Sequence, residues 1–326
     1  MKKMIPIVLA LIVLVSGCVG SSDFFSAFTG QRGETVEQSP DIIVIENIGT
    51  IPMGKINAGT QVTTYFDLRN QGEVGSPALE DVLVKLYNWG ECNPVKANFE
   101  PNADSWTETS SAYEYTFDEL VPNQVERVEM YFDAPTGEEI GFIEADCPIS
   151  WLVSYNFNAR SNDDFTVISN DRLNELQRAG ETWDGSDLPQ YVGIGPIKTY
   201  FAFKTPMPIR EENTIQFSVQ VEDKGRGTYP EVKAGTLYIK VPTSWGNVGD
   251  DAEPCGTKFT ELENEGGNRI FRNSKAINLI NRATPELICE FEAPSLDIPE
   301  RSYTVSANVT NYKYVTYGSL DVHVEP

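Results

Sequence analysis

The chain has 326 residues, 40% of them hydrophobic, with 48 acidic residues against 25 basic ones and a formal net charge of -23. A surface this negative repels nucleic acid and anionic headgroups, so DNA or RNA binding is disfavoured and no basic cluster restores it. The acidic residues are scattered along the chain, the pattern of a solvated surface.

At the N-terminus, Met1-Lys2-Lys3 precedes an apolar run from Met4 to Val15, which ends in the small residues Ser16 and Gly17. Basic start, short apolar stretch and small-residue junction follow one another in the order of a secretory signal. The run is shorter than the roughly 20 residues a membrane-spanning helix needs, so residues 1–17 are expected to be a signal peptide that is removed. The junction Val15-Ser16-Gly17-Cys18 resembles the lipobox of prokaryotic lipoproteins, and that resemblance implies that Cys18 carries a lipid and becomes the first residue of the mature chain. The membrane is then a partner through the anchor, to which each buried methylene contributes about 0.8 kcal/mol. Residues 18–40 are read as the lipidated cysteine and a flexible tether, with Gly20-Ser21-Ser22, Gly30 and Gly33 and no sustained apolar period. About 20 such residues reach roughly 25 Å. Phe24, Phe25 and Phe28 interrupt the polarity and could touch the bilayer or the first domain.

After residue 41 the dominant pattern is alternation with period two. Val62, Thr64, Phe66 and Leu68 face one way, and Val82, Val84 and Leu86 repeat the pattern; Ile215, Phe217, Val219 and Val221 give the cleanest case, followed by segments at Leu237 to Val241, Tyr303 to Val309 and Leu320 to Val324. Turn signals such as Asn70-Gln71-Gly72, Pro135-Thr136-Gly137 and Asp223-Lys224-Gly225 punctuate them. The expected fold is all-β: two tandem antiparallel β-sandwich domains, residues 41–168 and 191–326, with a short inter-domain helix and linker over 169–190. Ser169 or Asn170 would cap that helix, Leu173 and Leu176 would share a face, and Gly180 would stop it. The halves also echo one another: Phe132-Asp133-Ala134-Pro135 matches Phe291-Glu292-Ala293-Pro294, and Ser154-Tyr155 through Ala159 matches Ser302-Tyr303 through Ala307. This pattern indicates an internal duplication.

Setting Cys18 aside, Cys92 and Cys147 fall in the first half and Cys255 and Cys289 in the second. One disulfide per domain is expected, which suits a protein outside the reducing cytosol. Zinc is the competing use, but no C-x-x-C spacing occurs and the sole histidine, His323, is remote in sequence from the cysteines.

Catalytic chemistry is hard to place. His323 lies between Val322 and Val324 on the polar side of a terminal strand, which removes the imidazole that serine, cysteine and metal-water mechanisms use. No nucleophile elbow, phosphate loop or dinucleotide fingerprint is present, so no catalytic residue and no cofactor is assigned. Carboxylate-only glycan hydrolysis needs just two acids and stays open as a third reading. Asn162-Asp163-Asp164 and Asp250-Asp251 with Glu253 offer oxygen ligands for calcium, without the fixed spacing of a calcium loop, and no metal site is assigned. Tyr113, Tyr115 and Phe117, and Tyr312, Tyr314 and Tyr317, could form stacking surfaces for a glycan or protein, although such residues also pack in ordinary strands. Asn308-Val309-Thr310 is the one glycosylation sequon, with Asn308 expected on an exposed strand face.

The Ser-Gly-Cys-Val-Gly junction, the tether and the acidic sandwich modules together resemble archaeal cell-surface lipoproteins. The modules are similar to the immunoglobulin-like cell-adhesion-related domains of such exported proteins. The resemblance implies a non-enzymatic, lipid-anchored protein at the outer face of the cytoplasmic membrane, with a binding, adhesion or envelope-structural role and a surface protein or glycan as partner. The alternative is an accessory or solute-binding subunit of a transporter or pilus complex.

Overall fold

The computed structural model describes residues 36–37, 41–72, 78–141, 143–183, 190–249 and 253–326. Cys18, the signal segment, almost all of the tether and Asp250-Asp251 therefore lie outside the described residues. The expected fold class is borne out: the described residues are all-β, with antiparallel sheets packed face to face and one α-helix.

In the first lobe, β1 (Ile43–Ile51), β2 (Gln61–Asn70) and β5 (Val125–Asp133) form one sheet, with β1 at its edge. Facing it are β3 (Leu79–Asn88), β4 (Ala112–Leu120) and the first part of β6 (Ala145–Ile168). Alternating residues do what the pattern requires: Val62, Phe66 and Leu68 on one sheet and Val82, Val84, Leu86, Ile149, Trp151 and Val153 on the other are buried, and Trp151 stacks flat on Phe66 at 4.6 Å. Burial of such side chains contributes about 1.5–3 kcal/mol each. In the second lobe, β7 (Ile197–Phe203), β8 (Thr214–Asp223) and β11 (Leu287–Glu292) face β9 (Leu237–Pro242), β10 (Asn268–Asn273) and the first part of β12 (Glu300–Glu325). Between the lobes, helix α1 (Asn170–Ala179) starts where Ser169 accepts the Arg172 N–H at 3.2 Å and stops at Gly180, whose φ of 70° a residue with a Cβ rarely adopts.

The duplication is visible in the register. Asp133 lies opposite both Gln61 and Asn93, and Glu292 lies opposite both Thr214 and Gly246, so the two Phe-acid-Ala-Pro segments occupy equivalent places. The second echo does not hold. Tyr155 sits near the middle of β6 opposite Tyr314, whereas Tyr303 sits near the start of β12 opposite Phe165.

Where the sequence suggests separate short strands, the structure has two long ones. β6 and β12 pair antiparallel from Ala145↔Val324 to Ile168↔Glu300, with a single bulge between Phe157 and Ala159. Each strand therefore belongs to both lobes. The front of β6 pairs with β3 in the first lobe and its far end continues into the second, while the front of β12 pairs with β9 in the second lobe and its far end, Tyr312 to Val324, completes the first. Val322 and Val324 are accordingly buried in the same core as Cys147 and Ile149.

Candidate functional site

The far end of β12 makes an outer edge of the first lobe, and β1 makes the matching edge of the opposite sheet. Between them runs a groove of about 200 Å³ lined by Asp41, Ile43, Val44, Ile45 and Ile48 on one side and Thr316, Tyr317 and Gly318 on the other, with Arg226 at its end. Ile48 is 44% exposed and Tyr317 58%, one on each side of the groove. Gly318 is required here: a Cβ would stand 2.5 Å from the Trp151 indole nitrogen, so only glycine lets that ring lie under the strand. Two polar atoms beside the groove, Thr316 Oγ1 and Trp151 Nε1, are enclosed and make no hydrogen bond. Such groups are costly when left unsatisfied.

At one end the groove abuts a polar latch between the lobes. The loop after β8 crosses β12 so closely that a Cβ on Gly227 would stand 2.1 Å from the Val315 carbonyl oxygen. Gly227 N–H donates to the Tyr314 hydroxyl at 2.8 Å, and Thr228 N–H to the Val315 carbonyl at 3.0 Å. Asp223, buried at the root of this loop, receives the Tyr314 hydroxyl, the Gly225 N–H and the Arg282 guanidinium. Burial raises the Asp223 pKa against the opposing pull of Arg282. Asp41, the residue that leads into the first lobe, accepts the backbone N–H of Arg226 at 3.3 Å. Tyr155, Tyr312 and Tyr314 surround the same junction, and burial pushes all three hydroxyls well above the ordinary tyrosine range.

The residues singled out in the sequence are distributed as follows. Cys92 bonds to Cys147, pinning the segment after β3 to the start of β6, and Cys255 bonds to Cys289 on β11. The two bridges thus occupy non-equivalent places in the duplicated lobes. His323 is exposed and pairs with Asp146 directly across the ladder. Asn162, Asp163 and Asp164 lie in mid-strand and not in a loop, so they alternate between faces: Asp163 is buried inside the second lobe, while Asp164 accepts the Thr304 hydroxyl outside. Among the described residues, no group of three or more His, Cys, Asp or Glu side chains is arranged to hold a metal. Tyr113, Tyr115 and Phe117 pack in an aromatic cluster with Trp89, Phe99 and Trp106, so they serve the core more than the surface. Tyr312 and Tyr314 are likewise buried, and of this group Tyr317 alone is exposed. Asn308 departs from expectation. Flanked by Arg160 on one neighbouring strand and Tyr238 on the other, it is half-buried with its Oδ1 enclosed, because β12 is central in the sheet at that point.

Sequence reasoning missed the groove. Gly318 inside an alternating strand, and the exposed Ile48, are the only local signs of it.

No protein-family model matches the chain, and no curated protein matches its sequence. Among solved structures the chain is similar to chitinase ChiA74 from Bacillus thuringiensis, with a TM-score of 0.20 and 7% identity over 79% of this chain. It spans only 28% of that chitinase chain. It is also similar to the B domain of a biofilm associated protein, with a TM-score of 0.22 and 10% identity over 86% of this chain and 75% of that one. A third is the C-terminal domain of the AgI/II polypeptide BspA of Streptococcus agalactiae, with a TM-score of 0.18 and 8% identity over 87% of this chain and 98% of that one. Likenesses of this strength assign neither family nor activity.

Proposed function

We propose that this chain is a non-enzymatic binding protein of the outer cell surface, held at the membrane through lipid on Cys18, and that it engages a surface protein or glycan through its first lobe. The observation that carries this reading is the groove between β1 and the far end of β12, where the exposed Ile48 and Tyr317 stand on either side of a cleft walled by Ile43, Val44 and Ile45. The two disulfides support an oxidising compartment. The latch and the shared strands support a rigid body, which suits contact at a fixed distance from an anchor. The anchor itself rests on the order of residues 1–18 alone.

The test is made on intact cells. Limited external proteolysis should remove the folded portion, mass spectrometry should find the mature N-terminus at a lipidated Cys18, and crosslinking should join the chain to an envelope component. A chain that survives external protease, or that retains residues 1–17 unprocessed, would defeat the proposal.

A further inference from the structure

Deepening that reading, we infer that the outer edge of β12 around Tyr317, Ser319 and Asp321 is a strand-docking site, and that its occupant is an extended segment of a partner protein with apolar residues at alternate positions and basic residues between them. The direction of the peptide groups comes first. Val315 offers its carbonyl away from β6, to Thr228, and Glu325 offers its carbonyl the same way, to Ala58. In an antiparallel ladder, alternate residues turn both backbone groups to the same side. Tyr317, Ser319 and Asp321 thus aim their N–H and C=O groups outward, and none of them has a backbone partner on that side among the described residues. Such an edge is a template for another strand.

Side-chain chemistry narrows the occupant. The residues between these, Thr316, Gly318 and Leu320, point toward the sandwich, and the groove beside them is walled by Ile43, Ile45 and Ile48. A strand laid along the edge would send every second side chain into that apolar space, and the enclosed Thr316 Oγ1 and Trp151 Nε1 lie beside the same floor. Its other side chains would face solvent next to Asp321, which is exposed and makes no ion pair among the described residues. With a net charge of -23 on the chain, lysine or arginine is favoured at those positions. The edge also lacks the usual protection: between Val315 and His323 there is no proline and no lysine.

The experiment uses the oxidised full-length chain and two soluble nine-residue peptides, one alternating valine with lysine and the other valine with glutamate. Hydrogen exchange read by mass spectrometry should show the lysine peptide slowing exchange over residues 316–322, and the glutamate peptide having little effect. Ser319→Pro removes an N–H that faces outward and leaves the ladder to β6 intact, so it should weaken binding at least tenfold. Asp321→Lys should reverse the preference between the peptides, and it decides the matter should Ser319→Pro not fold. The inference is overturned by no protection with either peptide, or by unchanged binding in both variants. Edge amides already protected in the free chain would also overturn it, since the edge would then be filled by the chain's own N-terminal segment or, where protection depends on concentration, by a second copy. A chain that is surface-exposed and crosslinks on cells yet shows no edge protection would defeat this inference and leave the proposed role standing.

Discussion

Tyr314 donates its hydroxyl proton to Asp223 at 3.0 Å, joining the midpoint of the β6–β12 ladder to the loop that leaves β8 in the second lobe. The same oxygen accepts the Gly227 N–H, so one phenol satisfies two groups of a buried loop.

Tyr314→Phe should therefore destabilise the chain by about 1–3 kcal/mol, because the Gly227 N–H is left without an acceptor and Asp223 loses a donor in a buried setting. Urea unfolding checks this, with a lower midpoint and an unchanged slope. A midpoint equal to that of the parent chain would mean the latch contributes nothing.

Alkaline pH should act on the same region. Burial holds the Tyr155, Tyr312 and Tyr314 hydroxyls far above the ordinary range and pushes Tyr229 up to about 12. An unfolded tyrosine titrates near 10. The folded chain thus keeps protons that the unfolded chain gives up, so this contribution to stability is intact below about pH 10 and declines as pH rises above it. Tyrosinate absorbance should show a late, cooperative phase coinciding with the loss of strand circular dichroism. Smooth titration of every tyrosine in a chain that remains folded would contradict the assignment.

Each disulfide closes a long loop within one lobe. Replacing Cys92 and Cys147 together by alanine, or Cys255 and Cys289 together, should lower stability by up to about 4 kcal/mol on the chain-entropy model. Thermal unfolding of the two double variants measures it. No change in either would show that the bridges act on something other than the unfolded chain.

Residues 41–168 expressed alone should not form a stable monomer, although their length is ample for a core. They lack Tyr312 to Val324, so one side of β6 from Ala145 to Phe157 is left unpaired and the floor under Cys147 and Ile149 is open. Sedimentation should show unfolded or self-associated material, and a synthetic peptide of residues 312–326 should restore a folded heterodimer. A monomer with cooperative unfolding would show that the shared strand is dispensable.

Much of the sandwich is legible in the sequence because half-buried strands alternate strictly, as Ile215 to Val221 does, and because four cysteines divide two and two. The continuity of β6 is hidden for a physical reason. Ser161 and Asp163 point inward and are buried, which breaks the apolar stripe that would have carried the eye from Tyr155 to Val167. In β12, Asn311 adopts a φ of 51° and its N–H is held by Asn158 opposite, so the same point reads as a turn. The groove is less legible still, since it depends on which strand lies beside which over more than a hundred residues, and no local pattern encodes that. Asp163 suits a cation ligand only if its segment is a loop, and in mid-strand it faces the interior of the second lobe.

The trading of final strands also bears on assembly. Each lobe is completed by a strand that begins in the other, the geometry by which identical chains exchange elements across a dimer. Within one chain the exchange is intramolecular and insensitive to dilution. The two halves are also free to differ, and the disulfides are placed differently in each.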